Sequence, residues 1–167
     1  MLKFTTLEEI KARYATIIWA DHPLEHPSEE ALREFEEGRL YLNVRNYAPA
    51  LDHFQKAADL GYNLAKVEVG LFHKHGWGVP IDYDLAWSYF EDAGDQGYFS
   101  RAMSYLYGEG TNASVRRAYF QLEMGTFLCI TSCRPILYRL LIKENGPFGK
   151  DDEIAEYIHS LPIRRDK

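Results

Sequence analysis

Cysteine is scarce in this chain. Two residues of 167, Cys129 and Cys133, are too few for the disulfide framework of a small secreted domain. Their C-x3-C spacing places them one helical turn apart, a poor geometry for a disulfide. No cluster motif is completed, because position 136 is isoleucine. Long apolar runs are missing as well: none approaches the ~18 residues a membrane helix needs. The stretch MLKFTTLEEIKARYATIIWADH carries charges at 3, 8, 9, 11 and 13, which interrupt any signal-peptide core. Nor is there a basic excess. Lys and Arg number 19 against 25 Asp and Glu, a net charge of −6 that repels nucleic acid and anionic membranes. Arg164 and Arg165 are too short a patch to reverse it. These absences point to a cytoplasmic chain with neither a nucleic-acid nor a membrane partner. No segment alternates apolar and polar residues at a period of two, so no strand is expected.

What the chain does have is apolar and aromatic bulk. Hydrophobic residues make up 46% and aromatics 14%, enough for one domain with a real core across 1–167. The pattern reads as helix after helix. TTLEEIKARYATIIWA opens on a capping box, Thr6 to Glu9, and sets Leu7, Ile10, Tyr14, Ile17 and Ile18 on one face. Two prolines then forbid a helix through DHPLEHP. Ser28 caps a helix carrying Ala31, Phe35, Gly38 and Tyr41 in phase, and a third helix stops at Gly61. Near the C-terminus, Pro135 suits a first helical turn, Asn145-Gly146 a stop, and KDDEIAEYIHSL a last short helix.

Fixed offsets run through this pattern. Ala50 and Ala86, Phe54 and Phe90, Ala57 and Ala93, and Gly61 and Gly97 are each 36 apart. Gly76-x-Gly78 recurs 32 residues later as Gly108-x-Gly110, and Ala86 recurs as Ala118. The change of offset removes about one turn of ~3.6 residues, which leaves the apolar face aimed the same way. Each unit is a helix hairpin with small residues at its closest approach. A single hairpin cannot bury its own apolar face, so the units stack.

The segment from Ala65 to Gly97 resembles the Sel-one-like (SLR) repeat family, a relative of tetratricopeptide repeats. It follows the pattern A-x3-L-G-x2-Y-x2-G-x-G-V-x2-D-x2-K-A-x2-W-x3-A-A-x2-G. Ala65, Gly70, Gly76, Gly78, Val79, Asp82, Ala86, Ala93 and Gly97 match, with Val69, His73 and Tyr89 as stand-ins. The resemblance implies an all-α fold, a short α-solenoid of about three antiparallel helix hairpins at 31–61, 62–97 and 98–127. An N-terminal helix and linker at 1–27 and C-terminal helices at 128–167 cap it. Glu34 and Glu37 stand where large apolar residues are expected, as befits a unit near the end of a stack.

The family implies protein–protein interaction rather than catalysis. Tetratricopeptide geometry, carried onto this chain, lines a concave face with the first helix of each hairpin. Its partner-binding candidates are Phe35, Arg39, Leu42 and Asn43, then Leu71, Lys74 and His75, then Met103, Leu106 and Tyr107. The row is apolar for a groove facing water. Either a partner helix fills it or an end helix of the chain does, with PILYRLLI at 135–142 available. Trp77 has no fixed place in the pattern and is a candidate both for partner contact and for packing on the next hairpin.

The residues carry little chemistry. Gly76-x-Gly78 is a weak phosphate signal, because a helix precedes it and Val-Pro follows. His73 and His75 point to different helix faces, and the prolines beside His22 and His26 deny them helical spacing. No G-x-S-x-G, H-E-x-x-H or Cys/His nucleophile pair is present. No catalytic residue, metal site or cofactor is expected. The partner is a protein of unknown identity, and the chain is a monomer or weak dimer. Alternatives are an immunity- or antitoxin-type inhibitor of a basic, nuclease-like toxin, a small-ligand or lipid binder, or an enzyme.

Overall fold

A computed structural model of the chain describes residues 6–19, 26–128, 130, 132–142 and 150–161, with backbone alone at 17–19. Every regular element among these residues is helical. They are α1 (Leu7–Trp19), α2 (Glu29–Asn43), α3 (Tyr47–Asp59), α4 (Asn63–His75), α5 (Tyr83–Asp92), α6 (Tyr98–Tyr107), α7 (Val115–Phe127), α8 (Cys133–Ile142) and α9 (Asp152–Ser160). A short 3-10 turn, Gly94–Gly97, joins α5 to α6. The expected stop at Asn145-Gly146 and the side chains of Ile17 and Ile18 lie outside the described residues.

Local chemistry explains where helices begin. The Thr6 amide donates to the Glu9 carboxylate at 2.8 Å while Thr6 Oγ1 accepts from the Glu9 amide at 3.2 Å, a reciprocal capping box. Ser28, Asp82, Ser114 and Asp151 each accept an amide three residues on, at Ala31, Leu85, Arg117 and Ile154. Gly76 and Gly108 end α4 and α6 in the left-handed region, with φ of 68° and 72°, a conformation that β-carbon-bearing residues resist.

The helices pair in sequence as hairpins: α2–α3, α4–α5, α6–α7 and α8–α9. One backbone hydrogen bond closes each hairpin. It runs from Asn46 to Tyr41, Asp82 to His73, Ser114 to Tyr105 and Asp151 to Leu141, at 2.8–2.9 Å. Four residues past each of those donors lies a buried alanine: Ala50, Ala86, Ala118 and Ala155. The α8–α9 pair, in the segment expected to cap the stack, thus has the same hairpin geometry as the three units before it.

Three apolar clusters hold the stack. Phe54 centres the first, 5.4 Å from Phe35 and 5.8 Å from Phe72 between ring centroids. Val67, Ala86, Phe90 and Ala93 form a small middle one. The third joins α6 to α9 and also takes in Ile10 of α1. Small residues set the spacing within hairpins: a β-carbon at Gly38 would stand 2.9 Å from the Phe54 ring, and one at Gly70 would press on the Phe90 ring. α1 folds against the C-terminal hairpins. The Arg13 guanidinium is 2.8 Å from the buried Glu123 carboxylate, and the Tyr14 ring lies 5.2 Å from Phe127.

Candidate functional site

The first helices of the hairpins are less available than a concave groove requires. Phe35, expected on that face, is 4% exposed and packs on Phe54 and Tyr62, so it belongs to the core. In a stack both flanks of a helix are covered, and periodicity alone does not separate a flank from a groove. Leu42 and Leu71 are half-buried against the first and middle clusters, and Met103 against the third. Leu106 is half-buried as well. Lys74 spends its charge within the stack: its Nζ is 2.8 Å from Glu109 in the loop of the following hairpin.

Four candidates reach solvent: Arg39, Asn43, His75 and Tyr107. Arg39 donates to Glu36 at 3.1 and 3.3 Å. It also lies near Glu68, whose carboxyl is pushed up by burial and held back in part by that guanidinium. The His75 imidazole stacks 4.9 Å from Trp77, and burial, aided by Lys74, holds it below the usual histidine range. Trp77 packs on the preceding hairpin rather than the next. Its ring is stacked 6.0 Å from Tyr47 and stands edge-on to Phe72 at 5.5 Å.

The two glycine loops seat in matching ways. A β-carbon at Gly78 would meet the Tyr47 side chain at 3.0 Å, and one at Gly110 would run into the Tyr83 carbonyl. Tyr47 and Tyr83 each open the second helix of the preceding hairpin. The inserted loop is therefore a strut between hairpins, and both glycines carry the positive φ it needs. His73 stacks on Tyr89 while His75 stacks on Trp77, so the two imidazoles serve different contacts. Cys133 is buried, and its thiol is pushed up to about 12 by that burial, out of range of a reactive thiolate. Cys129, His22 and their neighbours Asp21 and Glu25 lie outside the described residues. Among the described residues no group of three or more His, Cys, Asp or Glu could hold a metal ion. No described helix is long and apolar enough to cross a membrane.

A different surface carries exposed apolar bulk. The turn edge, where the first helix of each hairpin gives way to the second, presents Val44 (72% exposed), Ile81 (57%), Tyr107 (70%) and Ile142 (39%). At least one such residue flanks each hairpin turn, and Tyr41 (38%) and Tyr83 (40%) add to the first two. Only Tyr107 among them is a sequence candidate. Val44, Ile81 and Ile142 escape a search for helical faces, because the first two lie just outside helices and the third ends one. Their common signal is position: each flanks a hairpin turn. The described part of α8 packs chiefly on α7 and α9, continuing the stack.

No family model matches the chain. Protein sel-1 homolog 2 of Rattus norvegicus is 39% identical over 144 residues, covering 83% of this chain and 21% of that protein. Its counterpart of the same name in Mus musculus is 39% identical over 101 residues, covering 59% and 15%. A Rattus norvegicus protein named DAP3-binding cell death enhancer 1 is 34% identical over 79 residues, covering 40% and 16%. The chain thus spans about a fifth or less of the length of these relatives. Among solved structures, a Sel1 repeat protein from Oxalobacter formigenes superposes with a TM-score of 0.64 at 22% identity, covering 77% of this chain and 56% of that one. A protective antigen of uropathogenic Escherichia coli with an SLR fold gives a TM-score of 0.66 at 21% identity, covering 93% and 32%. Stacked hairpins, struts built on paired glycines and these likenesses agree: the chain is a Sel1-like repeat protein, an all-α solenoid.

Proposed function

We propose that this chain is a protein–protein interaction module with no catalysis of its own, and that it engages a partner protein along the turn edge. The observation that carries the proposal is the set of exposed apolar side chains there, at least one flanking each hairpin turn. Exposed apolar residues gathered along one edge of a rigid scaffold are what a partner desolvates on binding. Solenoids use such repeated surfaces for recognition. Placement in the cytoplasm fits the free, buried Cys133.

The net charge of −6 favours a basic partner. That is the ground for the narrower version, an immunity- or antitoxin-type inhibitor that covers a basic toxin surface. The test is affinity capture from the native cell with the unaltered chain and with an Ile81→Asp/Tyr107→Asp variant, followed by identification of the bound protein. Both side chains are exposed, so the variant should fold normally. The expected result is a specific partner whose affinity falls about tenfold or more in the variant. A partner bound equally well by both chains would overturn the turn edge as the binding face. Inhibition of a captured basic toxin would favour the immunity version.

A further inference from the structure

The repeat register sets corresponding positions side by side. Gly38 meets Phe54 as Gly70 meets Phe90, which aligns α2 with α4 at an offset of 32 and brings Arg33, Glu37 and Leu40 level with the buried Ala65, Val69 and Phe72. In the second helices the buried alanines Ala50, Ala86 and Ala118 correspond. Five residues past them stand Gln55, Glu91 and Glu123. Gln55 is half-buried and Glu91 exposed, but Glu123 is 1% exposed. Asp59 is exposed at the end of α3, and its counterpart at the end of α7 is the buried Phe127. α7 thus buries a face that α3 and α5 turn largely to water. What lies over it is α1. Arg13 reaches Glu123, Tyr14 packs on Phe127 and stands edge-on to Tyr157 of α9, and Ile10 is fully buried in the shared cluster.

We propose that the groove between α7 and α9 is a helix-docking site for a partner's amphipathic helix with an arginine among its apolar anchors, and that α1 is the resident helix that masks it. The chemistry of the occupant is read from α1. Leu7, Ile10 and Tyr14 follow the i, i+3, i+7 spacing of a helix laid in a groove. Arg13 supplies the cation that a buried carboxylate needs. Two features let another helix take its place. Pro23 and Pro27 bar a continuous helix from α1 into α2, so α1 is joined to the stack by a non-helical tether. Glu123, once uncovered, returns to water as Glu91 already does, so an emptied groove strands no buried charge.

A fluorescein-labelled peptide of residues 6–19 is the probe, titrated by anisotropy into the full chain and into two full chains whose own α1 is loosened, Arg13→Glu and Tyr14→Ala. Two are used so that a failure of one to fold leaves the other as the test. The peptide should bind the loosened chains with a Kd about tenfold or more below that for the unaltered chain, where the tethered α1 competes. Arg13→Glu within the peptide should weaken its binding to the Tyr14→Ala chain about tenfold or more. No binding to either loosened chain at up to about 1 mM peptide overturns the proposal, as does equal affinity for loosened and unaltered chains. Indifference to the arginine of the peptide overturns the guanidinium as the group the groove reads. The Ile81→Asp/Tyr107→Asp chain should take up the peptide as the unaltered chain does, which separates this groove from the turn edge. A loss of binding there would put the peptide on the turn edge and overturn the α7–α9 groove as its seat.

Discussion

The two ends of the stack solve the same problem differently. At the C-terminal end, α9 turns Asp152, Glu153, Glu156, His159 and Ser160 to water and buries Ile154, Ala155 and Ile158. α1 then comes across from the other end of the chain. Its Tyr14 ring lies 6.2 Å from Tyr157, and the Lys11 ammonium sits 6.0 Å from the same ring. At the N-terminal end, α2 has exchanged two of the three interior residues of its outer stripe for Arg33 and Glu37 but keeps Leu40 bare. A solenoid needs ends that tolerate water. Here one end is closed by the chain itself, and the other is only partly converted from an interior face to a surface.

The largest test of that contrast is truncation at the closed end. Leu137 is fully buried in the cluster that α1, α8 and α9 share. Leu137→Ala should destabilise the chain by about 2–5 kcal/mol, as lost transfer energy and a residual cavity add. In a quasi-linear array the loss stays local, so hydrogen exchange should quicken in α7 to α9 and α1 well before α2 and α3. Uniform loss of protection along the chain would break the contrast, because the two ends would then be one cooperative unit.

The ion pair that fastens α1 is the next lever. Burial outweighs the hydrogen bond from Arg13 and raises the Glu123 carboxyl above its usual 4.5. A folded-state pKa above the unfolded one means that the folded chain holds this proton more tightly. That contribution is complete below 4.5 and is lost as pH rises through the raised value. Arg13 matters most where Glu123 is ionised. Arg13→Ala should cost about 2 kcal/mol at neutral pH, less than for a fully buried pair because Arg13 is itself 38% exposed. The loss should shrink in mild acid, where Glu123 takes the proton. Urea unfolding of both chains at the two pH values checks this. An equal loss at both would mean that Arg13 acts through packing alone.

The sequence shows much of this frame, and what it hides has physical causes. Caps at Thr6, Ser28 and Asp82 and the paired glycine loops are legible because each is a local requirement of backbone geometry. The α8–α9 hairpin is harder to see. Of the marks shared by the other units it keeps the cap Asp151 and the buried Ala155, in a segment whose glycines follow no G-x-G spacing. The concave row misleads at Phe35, because a helix inside a stack has covered flanks that share the periodicity of a groove. Trp77 shows the opposite limit: its loop position is evident, but spacing does not say which neighbouring hairpin it packs on. The turn-edge residues Val44 and Ile81 belong to no helical face, so only the assembled hairpins line them up.

The smallest expected effect is also the most discriminating. Leu40 and Phe72 occupy the same place in successive hairpins, 67% and 0% exposed. Phe72→Ala should cost about 3–5 kcal/mol as a core truncation. Leu40→Ser should change stability by less than about 0.5 kcal/mol, as surface substitutions do. If Leu40→Ser instead costs several kcal/mol in dilute solution, the α2 stripe is covered within a single chain. Both ends of the stack would then be closed from within.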